Sequence, residues 1–176
     1  AKRRGTRGIR FVPSSEPLEG ATQSGGGTMP GSFACLHYHI VFGTRNRLPL
    51  IAPDIAAPLH GYLAGIVNRL GGKAVLIGGT ADHVHILARL GRDRCVADAV
   101  RDLKANSTRW IRETYPPHCA FGWQDGYGAF TISYPGVDRV VAYIRGKEEH
   151  HRVVSFREEF QSFLRRHDIE FDERCL

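Results

Sequence analysis

The sequence predicts an α+β fold: a ferredoxin-like split β-α-β sandwich, with an antiparallel sheet and helices on one face. Three observations predict it. Runs of β-branched and aromatic residues alternate with runs of helical apolar period, in the order β-α-β-β-α-β-α. Gly71-Gly72, the Gly-Gly-Thr-Ala-Asp stretch at 78–82 and Pro116-Pro117 punctuate the junctions. At 176 residues the chain has room for one domain with a real core and too little for two.

Each element follows from its own residues. Phe33 to Phe42 (FACLHYHIVF) is β-branched and aromatic, a strand. Pro53 suits a helix start, and Ile55, Leu59, Leu63, Ile66, Val67 and Leu70 then recur at helical spacing until Gly71-Gly72 stops them. Lys73 to Ile77 and His83 to Leu90 read as strands joined by the 78–82 turn. A second helix from about Arg94 to Thr114 carries the stripe Val96, Val100, Leu103, Ser107, Trp110, Ile111 and ends before Pro116. Phe121 to Ser133 is aromatic and glycine-punctuated, a strand with an irregular entry. A third helix covers about Val137 to His150 and a fourth Phe156 to His167.

Composition sets the class. Apolar residues make up 42 % and charged residues 24 %, ordinary for a soluble globular protein. No apolar run approaches a membrane span, and Cys35, Cys95, Cys119 and Cys175 are scattered without metal-binding spacing. They read as reduced thiols of a cytoplasmic protein. Net charge is +6, of which residues 1–32 supply half: Lys2, Arg3, Arg4, Arg7 and Arg10 against Glu16 and Glu19. A basic chain suggests a polyanionic partner, here nucleic acid. Residues 1–28 are expected to be a disordered, Gly/Ser-rich basic extension, with Met29 as the native start and 29–176 as the folded domain.

Two features carry chemistry. In a strand, residues i and i+2 share a face, so His83 and His85 project two imidazoles side by side while Val84 turns into the core. Two neutral imidazoles can share one divalent ion and leave positions for a third ligand and substrate oxygens. Asp82 could orient one of them. His37-Tyr38-His39 has the same spacing, so spacing alone does not choose between the pairs. Tyr143 lies on the third helix, with positions 147 and 150 on the same face, and a tyrosine near a base or cation can attack phosphorus.

In combination these become a family pattern. The runs YHIVFGTRNRLP (38–49), DHVHIL (82–87), FGWQDGYGAF (121–130) and YIRGKEEHH (143–151) come in order, followed by FLRRHDIEFDERCL (163–176). Together they resemble the single-tyrosine HUH transposases of the insertion-sequence 200/605 type, a superfamily that includes the REP-associated tyrosine transposases. The resemblance implies that His83 and His85 are metal ligands for Mg²⁺ or Mn²⁺ and that Tyr143 is the nucleophile. His39 matches a first-strand histidine of unclear role. It also implies a homodimer that cleaves and rejoins single-stranded DNA beside hairpins through a covalent 5′-phosphotyrosine, in the cytoplasm at the nucleoid. Arg45 and Arg47 match a basic position of the family. Lys104, with Arg101, Thr108 and Arg112, forms a further face that could follow a phosphate backbone.

One departure stands out. The family pattern YIRNQ carries its third ligand four residues after the tyrosine, where this chain has Lys147, and a protonated lysine has no lone pair to donate. Glu148, Glu149 or His150 could supply that ligand, or Lys147 could act on the phosphate or on Tyr143. The alternative is a catalytically inactive, transposase-derived DNA-binding protein. An RNA-binding sheet would need aromatic side chains where these strands place histidines.

Overall fold

The computed structural model describes residues 33–146 and 155–172. Four strands, β1 (His37–Gly43), β2 (Lys73–Gly79), β3 (His83–Arg89) and β4 (Gly128–Ile132), form one sheet in the order β2-β3-β1-β4. Every neighbouring pair is antiparallel. β3 thus lies between β1 and β2, which are joined by helix α1 (Pro53–Arg69) in the split β-α-β arrangement. Helix α2 (Val96–Thr114) links β3 to β4.

Period-two alternation divides the sheet into two faces of different character. Ile40 and Phe42 of β1 and Val84, Ile86 and Ala88 of β3 point to one face. There they meet Ile55, Leu59, Leu63 and Val67 of α1 and Val100, Leu103 and Ile111 of α2, almost all fully buried. Each Val, Leu, Ile or Phe among them contributes roughly 1.5–3 kcal/mol of burial, so this face is the main source of stability. Trp123 closes the layer, its indole N–H donating to Ser107 Oγ at 2.9 Å.

The α+β class and its ferredoxin-like sheet are as the sequence predicts, but one detail is corrected. The second face is not left open: helices α3 (Val137–Arg145) and α4 (Phe156–Arg166) cover part of it. The cause is the α4 stripe Phe156, Phe160, Phe163 and Leu164, which buries itself against Val41 and Phe130. Two glycines let these helices approach. A Cβ on Gly78 would lie 2.8 Å from Ile144 of α3, and one on Gly128 would lie 2.6 Å from Phe160 of α4. Ser155 starts α4 with a capping box to Glu158.

Boundaries shift modestly. β1 begins at His37 rather than Phe33, whose side chain is exposed. Strand β4 shrinks to five residues, and its irregular entry is an isolated bridge between Trp123 and Thr44. The expected extension over 1–28, the start at Met29 and residues Lys147, Glu148, Glu149 and His150 lie outside the described residues. Among the described residues no helix is long and apolar enough to cross a membrane.

Candidate active site

The second face of the sheet gathers the chemistry. His85 pairs directly across from Val41 and His83 across from Gly43, which puts His39 diagonal to His85 on the same face. The two histidine pairs that spacing could not separate therefore play different parts. Both rings of the β3 pair are fully buried, with centroids 5.0 Å apart. His37 stands at the far end of β1, beside Tyr134.

Each β3 ring is held through its Nδ1. Nδ1 of His83 lies 2.7 Å from Asp82 Oδ1 and 2.9 Å from Thr80 Oγ. An ionised carboxylate only accepts, so this nitrogen carries the proton and Nε2 keeps a lone pair. Burial alone would raise the Asp82 carboxyl, but hydrogen bonds from His83 and Thr80 outweigh it and hold the group below its ordinary value. His85 Nδ1 meets His39 Nε2 at 2.9 Å, with the two rings stacked. When His85 donates in this contact, its Nε2 likewise keeps a lone pair.

A third donor arrives from α4. Glu159 is buried, and its Oε1 is 3.9 Å from His85 Nε2. Ligand atoms of His83, His85 and Glu159 all lie within 4.8 Å of one another, a set able to hold one divalent ion. Two imidazoles and a carboxylate suit a borderline or hard divalent metal and leave coordination positions open. The charge balance supports the fit: burial, with Asp82 nearby, pushes the Glu159 carboxyl up to about 8. A cation between these groups would remove that penalty.

Tyr143 stands beside this cluster. Its ring lies edge-on to His85 with centroids 5.9 Å apart, and it packs on Phe163 at 5.6 Å. Ile144, seated over Gly78, anchors the same turn of α3. On its far side Tyr143 borders a cavity of about 310 Å³ that His39, Ser133, Arg139 and Arg166 also line.

The model of the family described as "Transposase IS200 like" matches residues 32–147 of this chain. The chain belongs to the IS200-like transposase family. The ISDra2 transposase TnpA of Deinococcus radiodurans is 24 % identical over 119 residues, covering 65 % of this chain and 85 % of that protein. A solved structure assigned as a transposase of Deinococcus radiodurans R1 is 25 % identical with a TM-score of 0.55, covering 69 % of this chain and 97 % of that one. A REP-associated tyrosine transposase, solved bound to a REP hairpin, shares the fold at a TM-score of 0.54 and 15 % identity, over 73 % and 76 % of the two chains.

In this transposase the three residues expected at DNA divide. Arg45 is exposed and, with Lys104, Thr108, Arg109 and Arg112, lines a groove of about 570 Å³ along α2. Lys104 is half-buried and donates to the carbonyls of Gln124 and Gly126, so much of its hydrogen-bonding capacity holds a loop. Arg101 pairs with Asp98 at 2.7 Å. Arg47 turns instead toward Asp82 and α4. Trp123 is core, whereas Tyr127 is exposed. No spacing motif in the sequence marks Glu159; its signal is an acid at helical spacing from both Phe156 and Phe163, on the apolar stripe of α4.

Proposed function

We propose that this IS200-like transposase is catalytically competent, binding single-stranded hairpin DNA and cleaving it with Tyr143 beside a metal held by His83, His85 and Glu159. The observation that carries the reading is the meeting of three ligand residues, two imidazoles and a carboxylate, with the tyrosine on one buried face. Glu159 supplies a donor that does not depend on position 147. Mg²⁺ or Mn²⁺ bound there would polarise the scissile phosphate.

The residues would then act as follows. His83 and His85 are fixed through their Nδ1 atoms by Asp82 and His39, with a ligand atom of each within 4.8 Å of the other and of Glu159. The Tyr143 oxygen attacks phosphorus; its bond to phosphorus forms as the bond to the 3′ oxygen breaks. The phenolic proton is lost and the leaving 3′ oxygen gains one, leaving a 5′-phosphotyrosine and a 3′ hydroxyl. The phosphotyrosine keeps the bond energy, so the reverse attack rejoins strands. Arg45 and the α2 groove, with Lys104 at its edge, would hold a DNA backbone. That the REP-associated neighbour was solved with a hairpin supports a hairpin partner, and the family resemblance supports a homodimer.

The test is a labelled single-stranded hairpin oligonucleotide incubated with Mn²⁺ and the wild type or Tyr143→Phe. A denaturation-resistant protein–DNA adduct in the wild type, absent from the variant, is expected. Hairpin binding with no adduct from either protein would instead establish a DNA-binding module.

A further inference from the structure

Arg45 and Arg47 are separated by one residue yet face different surfaces. Asn46 and Arg47 both hold left-handed backbone, with φ of 54° and 55°. Asparagine tolerates that region; arginine adopts it rarely and at a cost. The result sends Arg45 to the α2 groove and Arg47 toward α4. There the Arg47 guanidinium carbon sits 4.4 Å from the centre of the Phe156 ring. Phe156 in turn stacks on the His83 ring at 4.2 Å, 18° from parallel. A cation is thus stacked one aromatic ring away from a metal-ligand candidate.

Arg47 is unusual in a second way. Both terminal nitrogens are buried, and among the described residues neither has a hydrogen-bond partner. Asp82 is close enough to act on it electrostatically, but Asp82 Oδ1 already accepts from Thr80 and His83. Beside Arg47 lies a cavity of about 340 Å³, bordered by Thr80, Asp82, Ser155 and Phe156. Buried unpartnered donors are costly, and strained backbone persists mainly where function holds it. The planar fork of a guanidinium fits two oxygens of one phosphate.

We infer that Arg47 is a phosphate clamp, and that this cavity takes the backbone phosphate one nucleotide from the scissile one, on the His83 side of the site. The inference rests on the single-strand cleavage proposed above and adds to it a second anchoring point. Arg45 serves a different stretch of DNA. Two basic residues of one tripeptide would thereby grip the substrate on both sides of the sheet.

The experiment is a scan with single-stranded hairpin oligonucleotides, each carrying one neutral methylphosphonate in place of a phosphate. Binding is measured to Tyr143→Phe and to Tyr143→Phe carrying Arg47→Met. In the first protein, one position next to the cleavage point should lose affinity by about tenfold or more. In the second, that position should have no effect. Equal losses in both proteins, or a sensitive position only within the hairpin stem, overturn the clamp and leave cleavage standing. Failure of Tyr143→Phe to bind any of the oligonucleotides would sink both readings. Mn²⁺ titration and thermal unfolding check that Arg47→Met keeps the fold. If it does not, Arg47→Lys, which retains charge but not the fork, replaces it in the same scan and should show a reduced loss at that position.

Discussion

Glu159 makes the candidate centre sensitive to proton concentration in a direction that can be worked out. Its carboxyl is raised from the ordinary 4.5 to about 8, first by burial and then by the Asp82 charge. Without metal, the unfolded chain ionises this group near 4.5 while the folded chain keeps its proton until about 8. The folded state therefore binds more protons across that window, and stability falls as pH rises through it. At 1.36 kcal/mol for each pKa unit, the loss above pH 8 reaches an upper limit of about 5 kcal/mol. That is a large share of the stability of a domain this size.

Substituting Glu159→Gln removes the titration and nearly keeps the shape. Urea unfolding in EDTA, from about pH 5.5 to about pH 8.5, should show wild-type stability declining by a few kcal/mol relative to the variant. Adding Mn²⁺ should reverse the decline in the wild type, most strongly at the alkaline end, and do much less for Glu159→Gln. Other groups titrate in both proteins, so the difference between the two curves is the quantity to read. Superimposable curves would refute both the buried acid and its place in the metal set.

Three further outcomes follow from the same geometry. His39→Phe should weaken Mn²⁺ binding about 10–100-fold, because His85 loses the partner that orients its Nδ1, while His39→Gln restores part of it; isothermal titration reads both. Gly78→Ala should press on Ile144, cost about 1–3 kcal/mol, and lower adduct formation more than DNA binding by displacing Tyr143. Ser155→Ala should remove the α4 cap at about 1 kcal/mol and weaken metal affinity through Glu159, measurable by denaturation and titration of one sample.

The sheet, helices α1 to α4 and the β3 histidines were legible in the sequence because each rests on a local period. Val84 alternates between His83 and His85, and Ile55 to Val67 repeat with the turn of a helix. What periods do not record is which faces meet. The destination of α4 depended on Phe130 and Val41 being apolar on the face that also carries His39, His83 and His85. Glu159 became a ligand candidate only once α4 was laid over β3. Arg45 and Arg47 looked equivalent in sequence, and a pair of left-handed residues separated them.

This division explains why a protein with so much polar burial can still fold. The α1/α2 face is almost entirely apolar and carries the hydrophobic stabilisation. Because side chains of a strand alternate, the same seven residues of β3 supply Val84, Ile86 and Ala88 to that face and His83 and His85 to the other. The reactive groups are thus fixed by residues that take no part in their chemistry, and their cost is met by packing one layer away. The same coupling makes the site intolerant of register change. A one-residue slip of β3 against β1 would bury both histidines among α1 and α2 and expose Val84 and Ile86 to the chemistry. The unbroken register from His37–Arg89 to Gly43–His83 is therefore as necessary to the candidate site as its ligand candidates themselves.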